Sequence, residues 1–285
     1  MKRLIVGCGY LGRRVADRWQ RAGDTVHVVT RSREHGTAFA QAGMFPLVAD
    51  VLLPETLRDL PKVDTVLFAV GYDRSSLASI YQVYVEGLRN VLDAIQNDPA
   101  QFLYISSTGV YAEQRGGWVN EDSPTHGGRE GTKACLDAEN ILQTHPLGVD
   151  GKILRCAGIY GPDRLPRRDA LLKEQPLPAP ADGYLNLIHV DDAAQAVEAA
   201  AVQGNAGIYS IADGAPVLRR DYLIELARLL NAPPPKFVEV LGNTQGRSAT
   251  SKRVHNERMR NELGVRLHYP SYRAGLAAIV RGDNR

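Results

Sequence analysis

Gly7-Cys8-Gly9-Tyr10-Leu11-Gly12 is the stretch on which the fold turns. It follows a short apolar run, Lys2 to Val6, and opens a segment in which Leu11, Val15, Ala16 and Trp19 share one helical face. Gly23 closes that segment, and a valine-rich run from Thr25 to Thr30 follows. The order is strand, glycine turn, helix, strand, within about 30 residues. Each glycine has a physical task in such a turn. Gly7 permits the bend out of the strand, Gly9 lets a pyrophosphate approach the backbone, and Gly12 lets the helix pack close to the sheet. Free N–H groups and the dipole at the helix start, around Tyr10 and Leu11, favour the phosphates. The expected contacts of a dinucleotide are therefore Gly7, Gly9, Tyr10, Leu11 and Gly12; the alternative is a structural turn that binds nothing.

The end of the second strand sets the expected cofactor. An acidic residue there would accept bonds from the 2′-hydroxyl of NAD, but the chain has Thr30-Arg31-Ser32-Arg33. Guanidinium groups of Arg31 and Arg33 suit a 2′-phosphate. The expectation is NADP(H) in preference to NAD(H), against the alternative of two ordinary exposed loop arginines.

Outward from this unit the alternation continues. Strands are expected at Pro46 to Ala49, Thr65 to Val70, Phe102 to Ser106 and Lys152 to Arg155. Helices are expected at Leu52 to Leu60, Leu77 to Ala94 and Glu130 to Gln143. Such alternation predicts an α/β doubly wound parallel Rossmann sheet covered on both faces. After Gly161-Pro162 the pattern loosens into a proline-rich excursion, Asp163 to Asp182. Elements follow at Leu185 to Val190, Ala193 to Ala201, Ile208 to Ile211, Asp221 to Leu230 and Val254 to Leu263. The division expected is a cofactor domain over residues 1–160 and a smaller, partly interleaved α/β substrate domain over residues 161–285.

Composition narrows the class of function. A formal charge of +2, from 34 basic and 32 acidic residues, argues against a nucleic-acid partner. Cys8, Cys135 and Cys156 have no metal-ligand spacing, so no metal is expected, and their sparseness suits a reducing compartment. No run of about 18 apolar residues suggests a membrane span. A cytoplasmic location is the expectation. Cys8, inside the glycine turn, reads as a small packing residue.

Further motifs resemble those of the extended short-chain dehydrogenase/reductase family, the NAD-dependent epimerases and dehydratases. Asp50-Val51 resembles the family's adenine-contacting pair, and Leu67-Phe68-Ala69-Val70-Gly71 lies where its fourth strand lines the cofactor. Gly87 to Ala94 is similar to its G-T-x-N-L-L-x-A helix, and Ser106-Ser107-Thr108-Gly109-Val110-Tyr111 to its S-S-x-x-V-Y-G strand end. Leu154-Arg155 with Ile159-Tyr160-Gly161-Pro162 resembles its R-x-x-x-V-Y-G-P turn, and Asn186 to Asp192 its I-H-V-D-D signature. The resemblance implies that Asp50, Val51, Ala69, Val70 and Gly71 join the cofactor site, and that Ser107, with Thr108 beside it, positions a substrate oxygen. It also implies substrate contacts from Tyr111, Arg129, Asn186 and Arg247, nucleotide-sugar chemistry, and a homodimer through the helices Leu77 to Ala94 and Glu130 to Gln143.

Three departures mark the chain. The family's first turn glycine falls on Val6, and its helix asparagine on Tyr84. Its catalytic Y-x-x-x-K has no tyrosine here: alignment on Thr132-Lys133 puts Arg129 at the tyrosine, and alignment on Ala138-Glu139 puts Gly131 and Cys135 at tyrosine and lysine. Arginine cannot serve as the base. Lys133 is left to bind ribose in the first register, or to be a surface lysine. His126, Tyr111, Tyr160 and Tyr184 are candidate replacement acids. His189 reads as structural, with Asp192 expected to cap the next helix. The pattern resembles an atypical subgroup without the tyrosine, to which Ser251-Lys252-Arg253 and Tyr269 to Leu276 are also similar. Two functions follow: an NADP(H)-dependent oxidoreductase, or a non-catalytic sensor of NADP(H).

Overall fold

The computed structural model describes residues 1–96, 99–178, 180–238 and 251–282. Its centre is a seven-stranded sheet: β1 (Lys2–Val6), β2 (Thr25–Thr30), β3 (Phe45–Val48), β4 (Thr65–Phe68), β5 (Gln101–Ser107), β6 (Lys152–Cys156) and β7 (Gly207–Ile211). The order across the sheet is β7-β6-β5-β4-β1-β2-β3, and every neighbouring pair is parallel. The chain winds outward from β1 to β3, then returns to β4 on the other side of β1. That reversal leaves a crevice at the carboxyl ends of β1 and β4, where open α/β sheets take their ligands. The doubly wound reading of the sequence is the fold observed.

Strands covered on both faces lose their polar alternation. Leu4, Ile5 and Val6 of β1 are wholly buried, as are Val66 and Leu67 of β4. One face is covered by α1 (Tyr10–Arg21), whose Leu11, Val15, Ala16 and Trp19 point inward, and by α5 (Val190–Ala200), rich in buried alanine. Small side chains on α5 let it lie against α1, and Arg14–Asp191 and Arg18–Glu198 ion pairs join the two. The other face is covered by α3 (Gly87–Ala94) and α4 (Glu130–Thr144). A separate apolar cluster joins Leu171 and Leu177 to α6 (Arg219–Leu229) and α7 (Tyr272–Arg281), around Tyr222, Leu226, Tyr272 and Leu276.

Several elements depart from the sequence reading. α2 (Arg33–Gln41) was not anticipated; Ser32 Oγ accepts from the His35 amide at 3.2 Å and caps it. The helix expected from Leu77 begins only at Ile80. Ser79 and Gln82 exchange side-chain bonds at 2.9 and 3.1 Å, a capping box that fixes the later start. A π-turn, Gln82–Glu86, then leads into α3. The helix expected over Leu52 to Leu60 shrinks to one 3₁₀ turn, Pro54–Leu57. Near the end, residues 253–254 pair in parallel with Trp118–Val119, and the helix is only Glu257–Glu262. The pairing explains the late start, because it holds residues 253–254 extended, and the Asn256 side-chain amide is committed to the Ala212 carbonyl at 2.9 Å.

Candidate functional site

Gly7 leaves β1 with φ +93°, and a Cβ there would stand 2.6 Å from the Ala69 carbonyl carbon and the Val70 nitrogen. The loop after β4 is thus seated directly on the turn, and the Ala69 amide bonds to the Val6 carbonyl at 2.8 Å. A Cβ on Gly12 would meet the Gly7 oxygen at 2.7 Å, whereas one on Gly9 would meet nothing within 4 Å. Gly7 and Gly12 are therefore glycines for packing, and Gly9 faces open space. α1 begins at Tyr10 with no side-chain cap and no acidic residue in its first turn. Its first amides have no intrahelical acceptors, so an anion fits there without displacing a protein group. These features suit the pyrophosphate of a dinucleotide. Tyr10 contributes its backbone to that helix start. Its hydroxyl donates to the Pro162 carbonyl at 2.8 Å, and its ring lies beneath the Arg14 and Arg164 guanidiniums. Leu11 is buried in the core.

Around the turn, Arg31 and Arg33 are exposed. The Arg31 charge reaches Asp73 in the loop after β4 and helps hold that carboxyl low, after the bonds from Ser75. Asp50 accepts from the Leu52 amide at 2.9 Å, and Val51 is buried against Gly87. The Val51 carbonyl takes the Asn90 side-chain amide at 2.8 Å. Beyond β4, Ala69 and Val70 are half-buried, and Gly71 is exposed with no neighbour within 4 Å of a Cβ position. The Tyr84 hydroxyl accepts from the Tyr72 amide at 3.3 Å. Tyr84 thus braces this loop from the π-turn, a distortion that recurs near functional sites.

Ser107 ends β5 on the same carboxyl edge of the sheet. Its Oγ accepts from the Gly109 amide at 3.0 Å and caps the 3₁₀ turn Thr108–Val110; Thr108 is buried. A Cβ on Gly109 would stand 3.1 Å from Ser107 Oγ and 3.6 Å from Arg129 Nη2. The structure therefore brings Arg129 to the Ser107 turn. Lys133, one turn along α4, is exposed, with its stem beside Gly127. Thr132, Ala134, Cys135, Ala138 and Glu139 form the buried side of α4. Glu139 takes bonds from Arg155 at 3.0 and 2.7 Å and from Ser106 at 2.5 Å.

The remaining candidates are scattered. Tyr111 is buried, its hydroxyl 2.7 Å from Ser210 Oγ and its ring under Arg155, and burial raises its pKa. Tyr160 is fully buried, and burial raises its pKa strongly. Both phenols lie in the core. His126 is exposed, and Tyr184 is half-buried beneath Arg253. The Asn186 side chain bonds the Lys252 carbonyl at 2.9 Å and the Val254 amide at 2.8 Å, so it clamps the segment at residues 252–254. Arg247 lies outside the described residues. His189 is fully buried and caps α5 through Nδ1, while Nε2 finds no partner; burial lowers its pKa to about 4. The cap expected of Asp192 therefore comes from His189. Asp192 instead accepts from the His268 and Tyr269 amides at 2.8 and 2.9 Å, tying down the approach to α7. Cys8 is buried, and burial raises its pKa to about 12, which fits the packing role. The sequence assigns no site role to Lys252. It is buried, its ammonium donates to the Tyr111 carbonyl at 2.8 Å, and burial followed by Arg129 lowers its pKa to about 8. The Ser251-Lys252-Arg253 segment assigns it no chemistry, because a strand pairing across 135 positions of sequence, Arg253 with Trp118, brings it here. Among the described residues there is no cluster fit to hold a metal, and no helix is long and apolar enough to cross a membrane.

Known proteins share this architecture and its sequence pattern. YeeZ of Escherichia coli K12 is 30% identical over 283 residues, which cover 95% of this chain and 97% of YeeZ. A functionally unknown conserved protein of Silicibacter pomeroyi is 26% identical with a TM-score of 0.78, over 100% of this chain and 99% of that one. DesIV of Streptomyces venezuelae, a dTDP-glucose 4,6-dehydratase solved with NAD, is 22% identical and shares the fold, with a TM-score of 0.81 over 99% of this chain and 96% of its own. The family model for NAD dependent epimerases and dehydratases matches residues 4–212, from β1 past the end of β7. With the glycine turn at the switch point and the Ser107 turn beside it on one sheet edge, this chain belongs to the NAD dependent epimerase/dehydratase family.

Proposed function

We propose that the protein is an NADP(H)-dependent oxidoreductase of the epimerase/dehydratase type, with residues 1–160 holding the cofactor and residues 161–285 closing over a small-molecule substrate. The observation that carries this reading is the common edge of Gly9 and Ser107. Gly9 opens at the end of β1, Ser107 ends β5, and only β4 lies between them. A dinucleotide whose phosphates lie on Gly9 and the start of α1 would run along that edge toward Ser107. Its nicotinamide supplies or accepts a hydride. Ser107, with Thr108, would hold the substrate oxygen, and Arg129 would supply positive charge beside it. Lys133, exposed one turn beyond Arg129 on α4, would bind the cofactor ribose. Neither register of α4 supplies a tyrosine, so the proton must move through another group.

The NADP(H) preference rests on Arg31 and Arg33. Both are exposed at the end of β2, with no carboxylate in the Thr30-Arg31-Ser32-Arg33 stretch; Glu34, in the first turn of α2, is the next acidic residue along the chain. A cell metabolite extract incubated with the protein and NADPH or NADP⁺ tests the whole reading by mass spectrometry. One metabolite should gain or lose two hydrogens, and Ser107→Ala should abolish the change. Tight NADPH binding with no change in any metabolite would contradict it and favour an NADP(H) sensor.

A further inference from the structure

Residue 252 is held with unusual care for a residue near the end of a chain. Asn186 bonds the main chain on either side of Arg253, and the Arg253 amide bonds the Gly117 carbonyl at 2.8 Å. These bonds hold the main chain at the start of the strand Arg253–Val254, which Lys252 immediately precedes. Its side chain is 5% exposed, and its ammonium donates to the main-chain oxygen of Tyr111, the residue that ends the turn begun by Ser107. An ammonium has three N–H donors, and the Tyr111 bond uses one. Arg129, whose guanidinium lies against the same turn, also acts on Lys252 electrostatically. Ser107, Arg129 and Lys252 thus gather around one five-residue turn at the carboxyl end of β5.

We propose that Lys252 is the proton-transferring residue of this site, exchanging a proton with the substrate oxygen that Ser107 holds. The inference rests on the hydride-transfer reading above. In the direction of reduction, hydride brings its electron pair to the carbonyl carbon, and the π pair of the C=O bond moves onto oxygen. That oxygen takes a proton from the Lys252 ammonium as the N–H bond breaks. The products are the alcohol, oxidised cofactor and a neutral amine that solvent reprotonates. Oxidation follows the same steps in reverse, with neutral Lys252 accepting the hydroxyl proton.

The environment matches the task. The Tyr111 carbonyl orients the amine without neutralising it. Burial is the largest influence on its proton and favours release; Arg129 acts in the same direction, and Glu113 opposes both. The resulting value, about 8, leaves both protonation states populated near neutrality. An arginine at this position would keep the charge and a bond to Tyr111 but could not give up its proton.

Reductive alkylation with propionaldehyde and cyanoborohydride, resolved by residue and followed from pH 6 to pH 10.5, reads the amine directly. Lys252 should reach half its maximal rate near pH 8, well below the midpoint of a lysine in a model peptide, about pH 10. Lys252→Arg and Lys252→Met should unfold cooperatively and bind NADPH within about twofold of wild type, yet lose about 10²–10⁴-fold in extract turnover. A Lys252 midpoint at about pH 10 overturns the inference. So does full turnover by Lys252→Arg, which would leave the oxidoreductase reading standing. Absence of turnover in the wild type overturns both.

Discussion

Arg155 and Glu139 form a two-bond ion pair, 3.0 and 2.7 Å, with both side chains almost wholly removed from solvent. The pair joins β6 to α4, and Ser106 adds a third bond from β5. It therefore sets the rotation of α4 about its axis and brings Arg129, at the head of that helix, to the Ser107 turn. Removing one partner leaves a buried, uncompensated charge. Glu139→Ala should cost about 3–5 kcal/mol, measured by urea denaturation. A loss below about 1 kcal/mol would show that the pair is not what fixes the helix.

Gly7 and Gly9 should separate folding from binding. Gly9→Glu adds a side chain in open space and a negative charge beside the expected phosphates. It should keep the melting temperature within about 2 °C and weaken NADPH at least 100-fold by fluorescence titration, about 2.7 kcal/mol. Gly7→Ala combines a positive φ with a 2.6 Å approach to the Ala69–Val70 peptide, and should cost about 2–4 kcal/mol of stability. Equal effects of the two substitutions on stability would contradict these assignments.

Arg31→Ala should weaken NADPH about 10–100-fold and leave NADH nearly unchanged, because a charge-assisted bond to phosphate is worth about 1.5–3 kcal/mol. The double substitution with Arg33→Ala should bring the two affinities together. Comparable affinities for NADH and NADPH in the wild type would exclude the preference.

Two buried groups should oppose each other in the pH dependence of stability. Asp213 has one carboxyl oxygen without a partner, and burial raises its pKa to about 7. The folded state binds its proton more tightly, so this contribution is complete below about pH 4 and is lost as pH rises to 7. His189 has the reverse sign: with a folded pKa of about 4, its contribution is present above about pH 6.5 and is lost as pH falls toward 4. Asp213→Asn removes the first slope, so the variant should gain stability relative to wild type as pH rises from 4 to 7. Parallel wild-type and variant curves in thermal melts would contradict the assignment.

The fold was legible because its signal is local and repeated. Lys2–Val6, the glycine turn and the first amphipathic helix declare one unit, and the strands after it repeat the pattern. What escaped notice was short or carried by side chains. α2 has a glycine in its middle and depends on the Ser32 cap. The start of the third helix was written in Ser79 and Gln82, but Leu77 drew the boundary forward. Of the candidate site, the motif positions Gly9 and Ser107 are legible in the sequence, and the groups that topology gathers around them are not. Arg129 stands at the tyrosine in only one of the two registers that the sequence allows, and its nearness to the Ser107 turn comes from the packing of α4. Lys252 reaches Tyr111 only after a long-range strand pairing and the Asn186 clamp have formed.

The central claim is hydride transfer between NADP(H) and a small molecule at this sheet edge. NADPH carrying deuterium on one face of nicotinamide C4, and then on the other, incubated with the protein and a metabolite extract, tests it most directly. One of the two labels should place a single carbon-bound deuterium in one metabolite, and Ser107→Ala should prevent it. Saturated NADPH binding with no deuterium transferred from either face would contradict the account.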